Sequence, residues 1–317
     1  MIDRIIEFSA KNKFIIFLLT AAAGLLGWWS MTHVPLDAIP DLSDTQVTIY
    51  SRWDRSPDIV EDQVTYPIVT AMLGAPRVKA VRGFSDFGYS YVYVIFEDGT
   101  DIYWARSRTM EYLAAVQPRL PQGIRTELGP DATGLGWVFQ YALVDTSGKH
   151  SLADLRSYQD WYLHSYLKSV PGVAEVAPIG GFTRQYQVNV DPNRLQAYGI
   201  TIGRVVDAVR AANTEAAGRL LELGGAEYMI RGRGYVKSRQ DIEQTMLRAS
   251  ETGTPIRVKD IGEVALAPDI RRGLADLDGR GEVVSGIVVM RQGENALDVI
   301  RRVKARLRAI EPGLPMG

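Results

Sequence analysis

From Phe14 to Leu36 the chain carries no charged residue for 23 positions, and nothing else in its 317 residues is so suited to lipid rather than water. As a helix rising about 1.5 Å per residue, the core FIIFLLTAAAGLLGWW and its flanks are long enough to cross a hydrocarbon layer of roughly 30 Å. The rest is water-soluble in character, so one span delivers a body of about 280 residues to one side of a membrane. Arg4, Lys11 and Lys13 precede the run, and Asp37, Asp41 and Asp44 follow it. Basic residues close to a span stay in the cytoplasm, so the N-terminus is expected inside and the body outside. A cleaved signal peptide is the alternative. It would end in a small-x-small site, whereas this run ends in Trp28, Trp29, Met31, His33 and Pro35, which favours a retained anchor. Before it, MIDRIIEF groups Ile2, Ile5, Ile6 and Phe8 on one helical face, the pattern of a short interfacial helix; a frayed start with chance apolar residues is the other reading.

There are no cysteines, which excludes disulfides and cysteine-ligated zinc or iron-sulfur sites. With 36 basic and 37 acidic residues the net charge is −1, so no basic field marks nucleic acid as a partner. The body is too large for one ordinary core, and two or three subdomains are expected.

After a Pro-rich exit, VPLDAIPDLSD, the run QVTIYSRW reads as a strand. A helix starts at Ser56-Pro57 and runs to Leu73, with a kink expected at Pro67. Strands VKAVRGFS and SYVYVIFED, a helix over Asp101–Val116 and the short strand IRTEL complete a β-α-β-β-α-β order, that of a ferredoxin-like sandwich. The same order restarts with WVFQYALVD, a helix LADLRSYQDWYLHSYLKSV and VAEVAPI. About ninety residues then intervene before EVVSGIVVMRQ and ALDVIRRVKARLRAI resume it. The insert holds a strand, RQYQVNV, a short helix in DPNRLQAYGI and a helix capped by Thr201. A hairpin or long arm is expected over Ala216–Val236, and DIEQTMLRAS with PIRVKDIGEVAL reads as one helix and one strand. The last strand of the second sandwich should follow Leu314-Pro315, where the chain stops at Gly317.

Little in this order points to catalysis. GPDATGLG and Gly232-Arg233-Gly234 lack the strand-loop-helix context and Lys-Ser/Thr of a phosphate loop, and GLGW enters a strand. His33, His150 and His164 have no metal-ligand spacing and read as structural. Met72, Met110 and Met290 read as core filler, and Asp154, Arg156 and Asp160 as a solvated charged face. No catalytic, cofactor-binding or metal-ligating residue is assigned.

Five stretches carry a resemblance: VPLDAIPDLSDTQV, VEDQVTYPI, VRGFSDFGYSYVYVIFEDGTDIYWARSR, LGPDATGLGWVFQYALVD and VDPNRLQAYGI. Through them the chain resembles the N-terminal third of resistance-nodulation-division (RND) transporters of the heavy-metal efflux branch, and is most similar to its copper/silver pumps. The resemblance implies an α+β membrane protein. Its parts would be an interfacial and transmembrane helix over residues 1–36, a first ferredoxin-like porter subdomain over 37–135, a second over 136–180 and 271–317, incomplete at its last strand, and a docking subdomain over 181–270.

It further implies a homotrimer in the bacterial inner membrane with its main body in the periplasm. Such a pump is driven by protons, and passes Cu(I) or Ag(I) to a periplasmic adaptor and an outer-membrane channel. Export of divalent zinc, cobalt or cadmium is the alternative within the family. A single-span periplasmic interaction protein without transport activity is the alternative outside it, but no heptad hairpin of an adaptor is found. The family's metal-binding methionines and proton-relay carboxylate lie in regions beyond this chain, so no cofactor or ligand is carried over. Where relatives have a Tyr-Pro-Gly turn, this chain has Trp53-Asp54-Arg55 and is one residue shorter. The glycines of Ala216–Val236, with Leu220, Leu221, Leu223, Tyr228 and Met229 lacking a core of their own, predict an arm that reaches a neighbouring protomer, and the family's docking subdomain makes such an arm. The resemblance implies that the helix Asp101–Val116 stands near the trimer axis, a helix exposed to water on its polar side being the other reading; their spacing of two puts Arg106 and Arg108 on different faces.

Overall fold

The computed structural model describes residues 2–34, 43–249, 253–271 and 273–314, without the side chains of residues 2–5, 33, 216, 217, 219 and 231. Most of the Pro-rich exit, the side chains of Ile2, Ile5 and His33, and the expected strand after Leu314-Pro315 lie outside the described residues.

The fold is mixed α/β with one long apolar helix near its start. Helices α1 (Ile2–Lys11) and α2 (Lys13–His33) precede strand β1 (Gln46–Arg52). Then come α3 (Pro57–Val60), a π-turn over Glu61–Thr65, α4 (Tyr66–Met72), β2 (Val78–Asp86), β3 (Tyr89–Phe96), α5 (Ile102–Val116) and β4 (Arg125–Leu128). Strand β5 (Trp137–Leu143), α6 (Leu152–Tyr158), a second π-turn over Gln159–Leu163, α7 (His164–Lys168), β6 (Val173–Ile179) and β7 (Arg184–Val190) follow. The remainder is α8 (Pro192–Tyr198), α9 (Ile202–Ala212), β8 (Ala216–Leu223), β9 (Ala226–Gly232), α10 (Arg239–Glu243), β10 (Met246–Ala249), β11 (Pro255–Arg257), α11 (Val258–Ile261), β12 (Gly262–Pro268), β13 (Ala275–Asp276), β14 (Glu282–Met290) and α12 (Ala296–Ile310). Two compact units result. The first runs to Tyr141 and adds Tyr162–Pro178 and the stretch from Gly286; the second holds Ala142–Trp161 and Ile179–Ser285.

In the first unit an antiparallel sheet has the order β2-β3-β1-β4. Alternate residues face the helices: Val47, Ile49 and Ser51 of β1 and Ser90, Val92 and Val94 of β3 are all buried. Ile68, Met72, Val60 and Val64 close over them, so apolar positions spaced by four on the helix meet apolar positions spaced by two on the strands. Ser56, in extended conformation, leads into Pro57 at the first helical position, and the Asp101 carboxylate caps α5 by accepting the Trp104 N–H at 2.8 Å.

The kink expected at Pro67 takes the form of the first π-turn. Pro67 has no N–H to give Gln63, and its ring crowds that carbonyl; a wider turn just before it, in which the Tyr66 N–H bonds the Glu61 carbonyl, relieves the crowding. The departure at Trp53-Asp54-Arg55 is tied down by the β2–β3 turn: Trp53 N–H donates to the Gly88 carbonyl, and Gly88 N–H to that of Arg55, both at 3.0 Å. A further core of this unit gathers Leu167, Val170, Val173, Val176, Val288, Val299 and Val303. Strand β14 pairs with β5, β6 and the short β13.

In the second unit β7 and β12 pair antiparallel along seven residues and cover Ile200, Val205, Ile242, Leu247, Ile256, Val258 and Ile261. Thr201 caps α9 by accepting the Arg204 N–H, as its position predicts. The reading of DIEQTMLRAS as helix and PIRVKDIGEVAL as strand is corrected. A Ser238–Asp241 capping box starts a short helix that ends at Glu243, and Met246–Ala249 pairs with Pro255–Arg257. The signal for a strand was present in MLRA, where Leu247 is buried between exposed neighbours.

Candidate functional site: an apolar helix and an exposed hairpin

Residues Lys13–Thr32 form a helical stretch of 20 residues with mean hydropathy 1.8, and none of its apolar window is buried. Phe14, Leu25 and Trp28 project outward, each about two-thirds exposed or more. The helix satisfies its own polar groups: Thr20 donates to the Ile16 carbonyl at 2.9 Å and Thr32 to that of Trp29 at 2.8 Å. Hydroxyls turned back onto the backbone are what a hydrocarbon environment demands. Ahead of it, Ile6 and Phe8 of α1 are exposed, and Lys11 pairs with Glu7 at 2.7 Å.

Strands β8 and β9 pair with each other and, among the described residues, with no other strand. Gly224 and Gly225 turn the chain with φ of 61° and 80°, the doubly positive pattern of a tight hairpin turn. Leu220, Leu221, Leu223, Tyr228, Met229 and Ile230 are all exposed, Met229 by 78%. At the base, a cleft of about 530 Å³ is lined by Arg233, Gly234, Tyr235 and Lys237 among others. Val236 N–H donates to the Asn213 side chain at 3.0 Å, fixing the point where the arm leaves α9.

Among the described side chains, His150, His164 and the carboxylates near them form local clusters. His164 Nε2 lies 2.8 Å from Glu175, which also accepts from Lys168 at 2.7 Å. Burial pushes the Glu175 carboxyl up, but hydrogen bonds from Lys168, the Val176 N–H and His164 outweigh it and hold it below its usual range. Asp145 is drawn down to about 2 by hydrogen bonds from the Ser147 side chain and the His150 and Ser147 N–H groups. The Tyr50 hydroxyl donates to Glu127 at 2.5 Å, and that bond, with burial, pushes it up to about 12. Among the described residues no group of three or more His, Asp or Glu is arranged to hold a metal ion.

Two sequence readings need correction. Met72 is buried and Met290 packs against a core, but Met110 is 60% exposed, because α5 turns that position away from its sheet. Arg156, Asp160 and Asp154 are not a solvated face. Arg156 Nε is 2.9 Å from both Asp160 oxygens, its Nη1 donates to the Gly180 carbonyl, and Asp154 joins a capping box with Ser151 and an ion pair with Arg184. Of their partners, Gly180 and Arg184 lie in a later loop and strand, out of reach of a helical-face argument. Arg106 and Arg108 do diverge: Arg106 donates to the Gly129 carbonyl at 2.7 Å, while Arg108 pairs with Glu111 and covers the Trp104 ring. The GPDATGLG stretch leads into β5, with Gly136 bonded to Thr133 and Met290 through backbone.

The sequence profile of the AcrB/AcrD/AcrF family matches residues 5–317. The chain belongs to the AcrB/AcrD/AcrF family. That match takes in the apolar helix, the sheets of both units and the hairpin. Over its whole length the chain is 52% identical to the cation efflux system protein CusA of Escherichia coli (strain K12) and 50% identical to the putative cation efflux system protein SilA of Salmonella typhimurium. It is 35% identical to the cobalt-zinc-cadmium resistance protein CzcA of Cupriavidus metallidurans. It spans about 30% of the length of each of these curated relatives. A crystal structure of a heavy metal efflux pump superimposes with a TM-score of 0.83 at 31% identity, over 96% of this chain and 30% of the pump. These AcrB/AcrD/AcrF relatives are named for efflux and resistance, and the local clusters above offer no catalytic constellation to set beside them.

Proposed function

We propose that this chain is part of an inner-membrane subunit that exports heavy-metal cations through a tripartite envelope-spanning complex. The observation that carries the reading is the 52% identity to CusA maintained over the entire chain. In this reading α2 is the first membrane span, with the N-terminus cytoplasmic and the body periplasmic. Residues 37–135 are a ferredoxin-like porter subdomain, a reading supported by the strand order β2-β3-β1-β4. Residues 136–180 with 271–317 are the second porter subdomain, and 181–270 the docking subdomain between its halves. The pump is a proton-driven cation antiporter that works as a homotrimer, with an adaptor and an outer-membrane channel. The exposed hairpin reaches the neighbouring protomer, which supplies the apolar contact its side chains lack, and α5 stands near the trimer axis.

The substrate is monovalent copper or silver. Identity falls from 52% and 50% for CusA and SilA to 35% for the cobalt-zinc-cadmium protein, which favours the first pair. In this reading the ligands for that cargo and the groups that couple it to protons lie outside these residues; the apolar stretch Phe14–Thr32 of α2 offers no ionisable group. A chimera tests the whole reading: residues 1–317 replace the matching segment of Escherichia coli CusA in a strain lacking its own copper and silver exporters. Restored silver and copper resistance is expected, while residues 1–317 alone give none. A chimera that inserts and trimerises but restores only zinc or cobalt resistance overturns the substrate, and one that restores nothing overturns the function.

A further inference from the structure

We propose that the basic face of α12 docks on the acidic face of α3 and α4 in a second copy of this chain. The inference deepens the homotrimer reading above, and its test separates the two.

Helix α12 departs from the charge placement that stabilises a helix on its own. Arg301, Arg302, Lys304, Arg306 and Arg308 lie along it against one carboxylate, Asp298. Cations favour a helix in its last turn, at the negative end of the macrodipole, yet Arg301 and Arg302 stand in the first half. Arg301 with Lys304, Lys304 with Arg308 and Arg302 with Arg306 are like charges at helical spacing, and each such pair weakens the helix. A helix that gives up stability in this way carries a surface suited to a partner.

Part of the charge is used inside the first unit. Arg302 donates to the Pro171 carbonyl at 2.8 Å, and Arg306 lies over the Tyr166 ring. The rest forms a single file: at 100° per residue, Leu297, Arg301, Lys304 and Arg308 fall within about 60° of arc, and all four are exposed. Arg301 reaches Asp298 at 3.3 Å, Lys304 lies over the Phe139 ring, and Arg308 has no ion pair among the described residues. Leu297, at the start of the file, is 43% exposed.

The same unit holds a complement. Asp58, Asp62 and Tyr66 follow one another at four-residue spacing through α3, the π-turn and α4, and all are exposed, Tyr66 by 65%. Asp58 is hydrogen-bonded to Ser56 beside it, and neither carboxylate meets a cation among the described residues. The order of residues sets the direction. The file on α12 runs from its apolar residue to its cations, the other from its carboxylates to its apolar residue. An antiparallel pairing therefore sets Tyr66 against Leu297, Asp62 against Arg301 and Asp58 against Lys304, with the macrodipoles also opposed. Because the two faces differ, the contact is head-to-tail, the kind that closes rings.

The chain has no cysteine, so introduced pairs report without background. In the full chain in mild detergent, Tyr66→Cys with Leu297→Cys should give a disulfide ladder between copies. Tyr66→Cys with Arg308→Cys, the pair that a parallel contact would join, should give none. In the first background, Arg301→Glu with Lys304→Glu, or Asp58→Lys with Asp62→Lys, sets like charges together and should lower the ladder about tenfold, and all four substitutions together should restore it. Added salt should weaken the ladder with no charge substitution at all, which keeps the test decisive if a reversal fails to fold. A chain that stays monomeric, a ladder formed through Arg308→Cys instead, or a ladder indifferent to salt and to reversals would each overturn the contact. A monomer that binds heparin through α12 would assign the basic face to a polyanion and overturn it as well. Oligomers of unchanged mass in the reversed variants would leave the homotrimer reading standing, and the chimera above judges efflux separately.

Discussion

The sheet β2-β3-β1-β4 and the hairpin β8–β9 are both antiparallel, yet one is the first unit's core and the other buries none of its large apolar side chains. The difference lies in what covers them. Over the sheet, α4 and α5 set Ile68, Met72, Ala105 and Leu113 against Val47, Ile49, Val92 and Val94. The hairpin has Leu220, Leu221, Leu223 and Met229 in the open. Apolar residues in a strand thus mark where contact is needed, and only the surrounding elements decide whether the chain supplies it. An exposed apolar hairpin of this kind is a surface on which contacts form, whereas the sheet's apolar face contributes to stability.

Truncation separates the two most sharply. Phe96 is fully buried and meets the Trp104 ring edge-on at 6.3 Å. Phe96→Ala should lower stability by about 3–5 kcal/mol, measured as a shift of the urea midpoint. Met229→Ser in the hairpin should leave the midpoint within about 0.5 kcal/mol. A hairpin substitution that unfolds the chain as readily as the core one would erase the distinction.

Glycine substitutions sharpen it at the backbone. Gly83→Ala in β2 forces Thr65 and Val69 apart and should cost about 1–3 kcal/mol. Gly224→Ala meets nothing within 4 Å, and its cost is confined to the positive φ, about 1 kcal/mol, felt as local fraying of the hairpin instead of global unfolding. Thermal unfolding reads the first, and exchange of the hairpin amides the second.

The periodic parts of this architecture were legible in the residues. ALDVIRRVKARLRAI is helical from Ala296 to Ile310 because Val299, Val303 and Ile310 recur on one face, and Thr201 caps its helix as its type and place require. Gly224-Gly225 announced the reversal between two apolar runs. The rest depended on partners distant in sequence. Thr65 meets Ser90 and Arg156 meets the Gly180 carbonyl across about 25 residues, so no local period reveals either bond. Pro67 gave the one warning that the helix is irregular, without saying that a π-turn would result. The candidate surfaces were legible as unburied apolar runs, not as a constellation of reactive groups.

Acid offers a smaller perturbation. In the first unit, Glu175 has its pKa held below the unfolded value by Lys168, the Val176 N–H and His164. The stability it contributes is present above the unfolded pKa of 4.5 and is lost as pH falls through the depressed folded value. Urea midpoints should therefore decline on acidification below that range, and Glu175→Gln should flatten this part of the profile while lowering the midpoint near neutrality. A profile of unchanged steepness in the variant would remove Glu175 from the acid response. Among the described residues, the hairpin's side chains show no such coupled cluster, so its amides should not share this dependence.

The finest contrast is between two cross-strand pairs. In the sheet, Tyr50 stands opposite Glu127 and donates to it, so neighbouring side chains on facing strands attract. In the hairpin, Glu222 stands opposite Glu227 and both positions are exposed, so two like charges face each other. Like charges directly opposite weaken a ladder by about 0.2–1 kcal/mol, and salt screens part of that. Glu222→Lys turns repulsion into attraction and should slow exchange of the hairpin amides by about twofold at low salt, with no change in the global midpoint. The gain should shrink as ionic strength rises. An equal gain at high salt would mean that the lysine acts through packing along the strand, and the pair would then teach nothing about charge. A gain that also raised the global midpoint would mean that the hairpin's stability is coupled to the chain's core, against the independence that its open apolar face implies.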